Sequence, residues 1–96
     1  MSQLSQLYLV QLAQASDRAL MDDPDDPRAI FAANLRRLRE ERGWSQERAA
    51  HESDLNPSHL AKIERMEREP RVRAISKLCK GLGVGASELF DSFDGR

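Results

Sequence analysis

Apolar residues recur at helical spacing in six stretches of the chain, and nowhere do they alternate as in a strand. In residues 3–20, Leu4, Leu7, Tyr8, Leu12, Ala15, Ala19 and Leu20 return every three or four positions, with Leu9 and Val10 off the centre of the stripe. A helix is predicted there. Asp22-Asp23-Pro24-Asp25-Asp26-Pro27 ends it, because the residue before a proline is pushed out of helical geometry. Asp26 can then cap a new helix with Pro27 in its first position. Ile30, Phe31, Asn34, Leu35, Leu38 and Arg42 keep helical spacing up to Gly43, which stops it. Ser45 caps a second helix reaching about Ser53, Asp54-Leu55 forms a turn, and Asn56 caps a third helix running from Pro57 to about Met66. Pro70 and Arg71 open a fourth, with Val72, Ile75, Leu78, Cys79 and Leu82 on its apolar face and Gly83 at its end. A short fifth helix over residues 86–90 reaches toward Phe93. The pattern predicts an all-α fold: an extra N-terminal helix and acidic linker over residues 1–27, then a five-helix domain over 28–96.

The second and third domain helices carry the most information. Ala49, Ala50 and Leu55 let two helices cross closely, while Leu60 and Ile63 turn the third helix toward the core. Asn56, Pro57, Ser58, His59, Lys62 and Arg65 are left on its outward side. A capped helix N-terminus offers backbone N–H groups, the positive end of the dipole and short polar side chains. All three suit approach to phosphates and base edges in the major groove of DNA.

Composition adjusts this picture little, but charge distribution matters. Charged residues make up 32% of 96 and aromatics 5%, so one small aliphatic core is expected. Net charge is −1 overall. Residues 1–27 hold one Arg against five Asp, net −4, whereas residues 28–96 hold 14 basic against 11 acidic residues, net +3. A local basic surface attracts phosphate whatever the whole-chain charge. No 18-residue apolar run predicts a membrane span, and no basic-then-apolar start predicts secretion. A single cysteine, Cys79, precludes an intrachain disulfide and suits a reducing cytoplasm.

The motifs taken together resemble the Cro/CI-type helix-turn-helix domain, the XRE family of phage and bacterial repressors, which includes restriction-modification controller proteins. The resemblance spans residues 30–90. It is carried by Asn34-Leu35-Arg36-Arg37-Leu38-Arg39, Gly43-Trp44-Ser45-Gln46-Glu47, Ala50, Leu60, Ile63-Glu64-Arg65, Pro70, Leu82-Gly83-Val84 and Leu89-Phe90. It implies a lambda-repressor-like fold and a set of roles. Gln46 matches the glutamine that bonds a DNA phosphate and braces the recognition helix, and Ser45 would reach the same strand. Ser58 and Lys62 match base-reading positions; Asn56, His59 and Arg65 flank them. Arg39 and Glu64 match a buried structural ion pair. Leu89, Phe90 and Phe93 are expected at a twofold dimer contact, which would place two recognition helices about 34 Å apart on a palindromic operator.

Four positions depart from the family pattern. Asp54 stands where the turn glycine is usual, and Met66 where a glycine follows Ile-Glu-Arg, so the third helix is expected to run longer. Pro57 removes one base contact, and Ala49 thins the core.

The remaining candidates receive plainer readings. Arg68, Arg71 and Arg73 flank the loop after the third helix, where phosphate contact by Arg68 and Arg71 is expected. Trp44 is read as packing, since duplex DNA offers no unstacked base. Cys79 is read as a small core residue. Glu47 and His51 lie one turn apart, but no third ligand is evident and no metal is expected. The chain carries no paired carboxylates, nucleophile–base pattern or phosphate-cradling glycine loop, so neither an enzyme nor a cofactor is expected. Nor is there room for a small-molecule effector domain. The leading expectation is a cytoplasmic homodimeric transcriptional regulator of double-stranded DNA, a repressor or autoregulator. The alternative is an antitoxin that binds a toxin through residues 1–21 and autoregulates its operon.

Overall fold

Three of the five helices begin on side-chain caps that are visible in the sequence. In the computed structural model, which describes residues 26–93, Asp26 is extended and its Oδ1 accepts the Arg28 N–H at 2.9 Å. Helix α1 then runs Pro27–Glu41. Ser45 Oγ accepts the Arg48 N–H at 3.0 Å and starts α2, Gln46–Glu52. Asn56 Oδ1 accepts the Ser58 N–H at 2.8 Å and starts α3, Pro57–Glu64. Each cap satisfies a donor that the first helical turn leaves unpaired. Helix α4, Val72–Leu82, and α5, Ala86–Leu89, complete the order, and all regular structure among the described residues is helical. The helix expected over 3–20 and its linker through Asp25 lie outside the described residues.

The core lies where α1, α3, α4 and α5 meet. Phe31, Leu35, Leu38, Leu60, Ile63, Leu78, Leu82 and Leu89 are buried there, with Ala49 and Ala50 from α2 closing one side. Burying each large aliphatic side chain contributes about 1.5–3 kcal/mol, offset by the entropy of ordering it. Trp44, Leu55, Ile75, Cys79, Val84 and Phe90 pack on the rim, as packing roles for Trp44 and Cys79 require. The small side chains of α2 leave its backbone near α4. A Cβ on Gly81 would stand 2.6 Å from the Ser53 Cα and 2.8 Å from the Glu52 carbonyl oxygen, and would also strike the Ser53 hydroxyl. Glycine at 81 is therefore what seats α4 against the end of α2.

Two side chains tie distant elements together. The Arg42 guanidinium donates to the Leu82 carbonyl through Nε at 3.1 Å and Nη2 at 2.7 Å, and through Nη1 to the Leu38 carbonyl at 2.7 Å. It thereby serves carbonyls near the C-termini of both α1 and α4. The Asn34 amide donates to the carbonyls of Leu89 and Asp91 at 3.0 and 2.9 Å and holds the end of α5 on α1.

The structure corrects three sequence expectations. Helix α3 stops at Glu64 and does not run longer, because Met66 itself takes the left-handed conformation, φ 60°. Helix closure here overrides the steric preference of a non-glycine residue. Asp54 does the same at the turn between α2 and α3, φ 53°, where Lys77 Nζ reaches its carbonyl at 3.1 Å. Val72 is 82% exposed and lies off the apolar face of α4, since the first residue of that helix points past the core edge. Leu89, expected at a dimer contact, is 0% exposed and belongs to the core of its own chain.

Candidate nucleic-acid interface

Glu64 fixes how α3 is presented. Its side chain is 0% exposed, at the last residue of α3. Arg39 from α1 grips it twice, Nε to Oε2 at 2.7 Å and Nη2 to Oε1 at 3.0 Å. The amide of Gln46, first residue of α2, donates to Oε1 at 3.1 Å, and the Arg36 guanidinium lies 3.6 Å from the same oxygen. Arg39 also donates through Nη1 to the Trp44 carbonyl at 2.9 Å. Burial pushes the Glu64 carboxyl up. Hydrogen bonds from Arg39 and Gln46, with the charges of Arg39 and Arg36, outweigh it and hold the group below the usual carboxylate range. The same pair holds Arg39 further in its charged form. The expected Arg39–Glu64 ion pair is therefore the hub that joins α1, α2 and α3. Arg36 was not singled out from the sequence as part of it, although its position one turn before Arg39 on one helix face was a usable signal.

The open side of α3 gathers most of the expected interface residues. Asn56, Ser58, Lys62 and Arg68 are exposed and, with half-buried His59, wall an open cavity of about 340 Å³. Pro57 pre-sets the first turn, so the N-terminal end of the helix dipole faces this side. Burial pushes His59 below its ordinary value of 6.5, and the charges of Arg68, Arg71, Lys62 and Lys77 add to that. Its Nε2 is buried without a hydrogen-bond partner.

Other expected residues are placed differently. Arg65 is exposed at the far end of α3, and its guanidinium is engaged by Glu67 at 2.9 Å, outside the cavity. Arg71 is exposed at the cap position of α4 and contributes charge but no wall to the cavity. Ser45 and Gln46 sit at the start of α2, bound to Arg48 and Glu64 as described. The Arg48 guanidinium lies 5.4 Å from the centre of the Trp44 ring, covering it with a cation–π contact. Of the expected dimer residues other than Leu89, Phe90 packs against Phe31 with the rings tilted at 57° and their centres 5.2 Å apart, and Phe93 is 41% exposed. Among the described residues no group of three or more His, Cys, Asp or Glu is placed to hold a metal, and no helix is long and apolar enough to cross a membrane.

The arrangement can do one kind of chemistry well. It presents a rigid, capped helix N-terminus with hydroxyl, amide, ammonium and guanidinium donors on one face, the donor set that duplex DNA accepts. Comparison with known proteins agrees. A helix-turn-helix family model matches residues 35–89. A hypothetical transcription factor of Neisseria meningitidis is 35% identical over 71 residues, covering 74% of this chain and 67% of that protein. The crystal structure of the hypothetical transcription factor NHTF from Neisseria, 35% identical, superposes with a TM-score of 0.67, covering 71% of this chain and 78% of the other. The control protein C.BamHI of Bacillus amyloliquefaciens is 35% identical over 65 residues, 67% of this chain and 80% of its own. The restriction-modification controller protein C.AhdI of Aeromonas hydrophila, 36% identical, gives a TM-score of 0.63 over 66% of this chain and 96% of its own. The chain belongs to the XRE-type helix-turn-helix family, whose members include transcription factors and restriction-modification controller proteins.

Proposed function

We propose that this chain is a sequence-specific regulator of transcription that binds double-stranded DNA as a cytoplasmic homodimer and represses its own or a neighbouring operon. The observation that carries the reading is the shared open face of α3: Asn56, Ser58, His59 and Lys62 lie beside Arg68 on a helix locked by Glu64. In this reading Ser58 and Lys62 read base edges, with Asn56 and His59 beside them. Ser45, Gln46, Arg68 and Arg71 set position on the phosphate backbone, and Arg65 reaches the strand on release from Glu67. Residues 28–96 form the DNA-binding unit. Phe90 and Phe93 supply the apolar part of the twofold contact, which calls for a palindromic operator.

Footprinting on the chain's own upstream DNA, followed by mobility shifts, tests this. Affinity for the protected site should fall steeply with salt, as phosphate contacts release counterions. Lys62→Ala should cost about 1–3 kcal/mol on that site and much less on random duplex. Equal losses on both would remove Lys62 as a base reader.

A further inference from the structure

We propose that one backbone phosphate of bound DNA seats on the His59–Arg68 side of the cavity walled by Asn56, Ser58, His59, Lys62 and Arg68, leaving Ser58 and Lys62 to base edges, and that His59 gains a proton as that phosphate enters. The inference rests on the DNA-binding reading and adds a regulated property to the same face: DNA is held more tightly below neutral pH.

The cavity is unusual in what surrounds its imidazole. Lys62 comes from the same helix, Arg68 and Arg71 from the following loop and cap, and Lys77 from α4. No carboxylate lines the cavity. The nearby acids are already engaged, Glu67 with Arg65 at 2.9 Å and Asp54 with Lys77 at 3.6 Å. Burial and four surrounding cations therefore disfavour the charged form of His59 in the free protein. Its Nε2 has no partner that would accept a proton's hydrogen bond.

A base edge beside His59 would change its protonation little, because it is neutral. A phosphodiester carries a full negative charge, and opposite charge within a few ångströms favours the protonated imidazole. The volume, about 340 Å³, suits a phosphate with its sugar, and the cavity is open to a passing strand. The proton comes from water, no bond in the DNA changes, and the complex carries one more positive charge than its parts. By linkage, uptake of a proton on binding means that affinity rises as pH falls.

The test uses the full chain and a duplex of its footprinted upstream region, at fixed ionic strength between pH 5.5 and 7.5. Each unit of difference between the free and bound His59 values is about tenfold in Kd. Wild type and a His51→Gln control should tighten by about that factor toward pH 5.5; His59→Gln should bind with a flat profile. Calorimetry in two buffers of different ionisation heat should give proton uptake for wild type and none for His59→Gln. A pH profile unchanged by His59→Gln, or a flat wild-type profile with salt-sensitive binding intact, overturns the coupling. Inorganic phosphate that shifts the His59 NMR titration as far as the duplex does would assign the cavity to a free anion and overturn its assignment to DNA. Absence of salt-sensitive DNA binding at every pH would instead remove the underlying function.

Discussion

Glu64→Gln is the sharpest test of how this domain is held together, because it changes one atom type and almost no volume. In the wild type a carboxylate with a 0% exposed side chain faces an arginine whose side chain is only 13% exposed. Three hydrogen bonds reach it, two from Arg39 at 2.7 and 3.0 Å and one from Gln46 at 3.1 Å. The glutamine amide can accept at one oxygen only. In either orientation its NH2 group must then face the Arg39 guanidinium, a donor: Nε alone in one, Nη2 together with the Gln46 amide in the other. Arg39 keeps its bond to the Trp44 carbonyl but loses its counter-charge.

Breaking one side of a buried pair costs about 3–5 kcal/mol. The Arg39 hydrogen bond that the remaining oxygen keeps puts the expected loss at about 3 kcal/mol. At about 0.05–0.15 kcal/mol per residue, a domain of this size has little to spare. The melting temperature should therefore fall by about 12–24 °C, read by circular dichroism and confirmed by urea unfolding with an unchanged slope. DNA affinity should fall as well, since Gln46 loses the oxygen that aims it. The pH dependence has a definite sign. The folded-state pKa of Glu64 is below 4.5, so its contribution is complete above that value and is lost as pH falls toward the folded-state value. In Glu64→Gln this acid-sensitive part is absent. A loss under about 1 kcal/mol would mean that the pair behaves like a screened surface bridge, and would refute the reasoning. Replacing both partners by apolar residues, Arg39→Met with Glu64→Leu, should recover most of the stability if the stranded charge is the cause.

Three further outcomes follow from packing and backbone geometry. Gly81→Ala should destabilise by about 1–3 kcal/mol in urea unfolding, because the added methyl meets backbone atoms of Glu52 and Ser53, which cannot swing away. Met66→Gly should stabilise by up to about 1 kcal/mol, since glycine adopts φ 60° without the steric penalty that methionine bears; a loss would show that the Met66 side chain contributes more by packing than its backbone costs. On the proposed twofold contact, Phe93→Ala should weaken self-association in sedimentation while leaving the melting temperature within a degree or two, whereas Leu89→Ala should cost about 2–5 kcal/mol of folding stability through a cavity in the core.

What the sequence made legible here was decided within a few residues, and what it left hidden was decided across the fold. The caps at Asp26, Ser45 and Asn56 follow from a short polar side chain placed just before a proline or a helical run, and all three form as expected. The Arg39–Glu64 pair came from the resemblance. It spans 25 positions, and no local pattern could have distinguished it from a solvated surface pair. Leu89 was misplaced for the same reason. An apolar residue on a four-residue helix reads equally well as core or as interface, and only the Asn34 bonds to the end of α5 settle which way that helix turns. Met66 shows the limit from the other side, since a helix-compatible residue was expected to lengthen α3, yet the chain must turn there to carry Arg68 beside Lys62. Gly81 owes its importance to the α2 backbone, remote in sequence, and His59 owes its setting to burial and to charges from the following loop and cap, from its own helix and from Lys77 of α4. The outward side chains of α3 could be read from that helix alone because they point away from the core. His59 was among them, but its half-buried setting could not be read, because that environment is built from α3, the loop that follows it and α4.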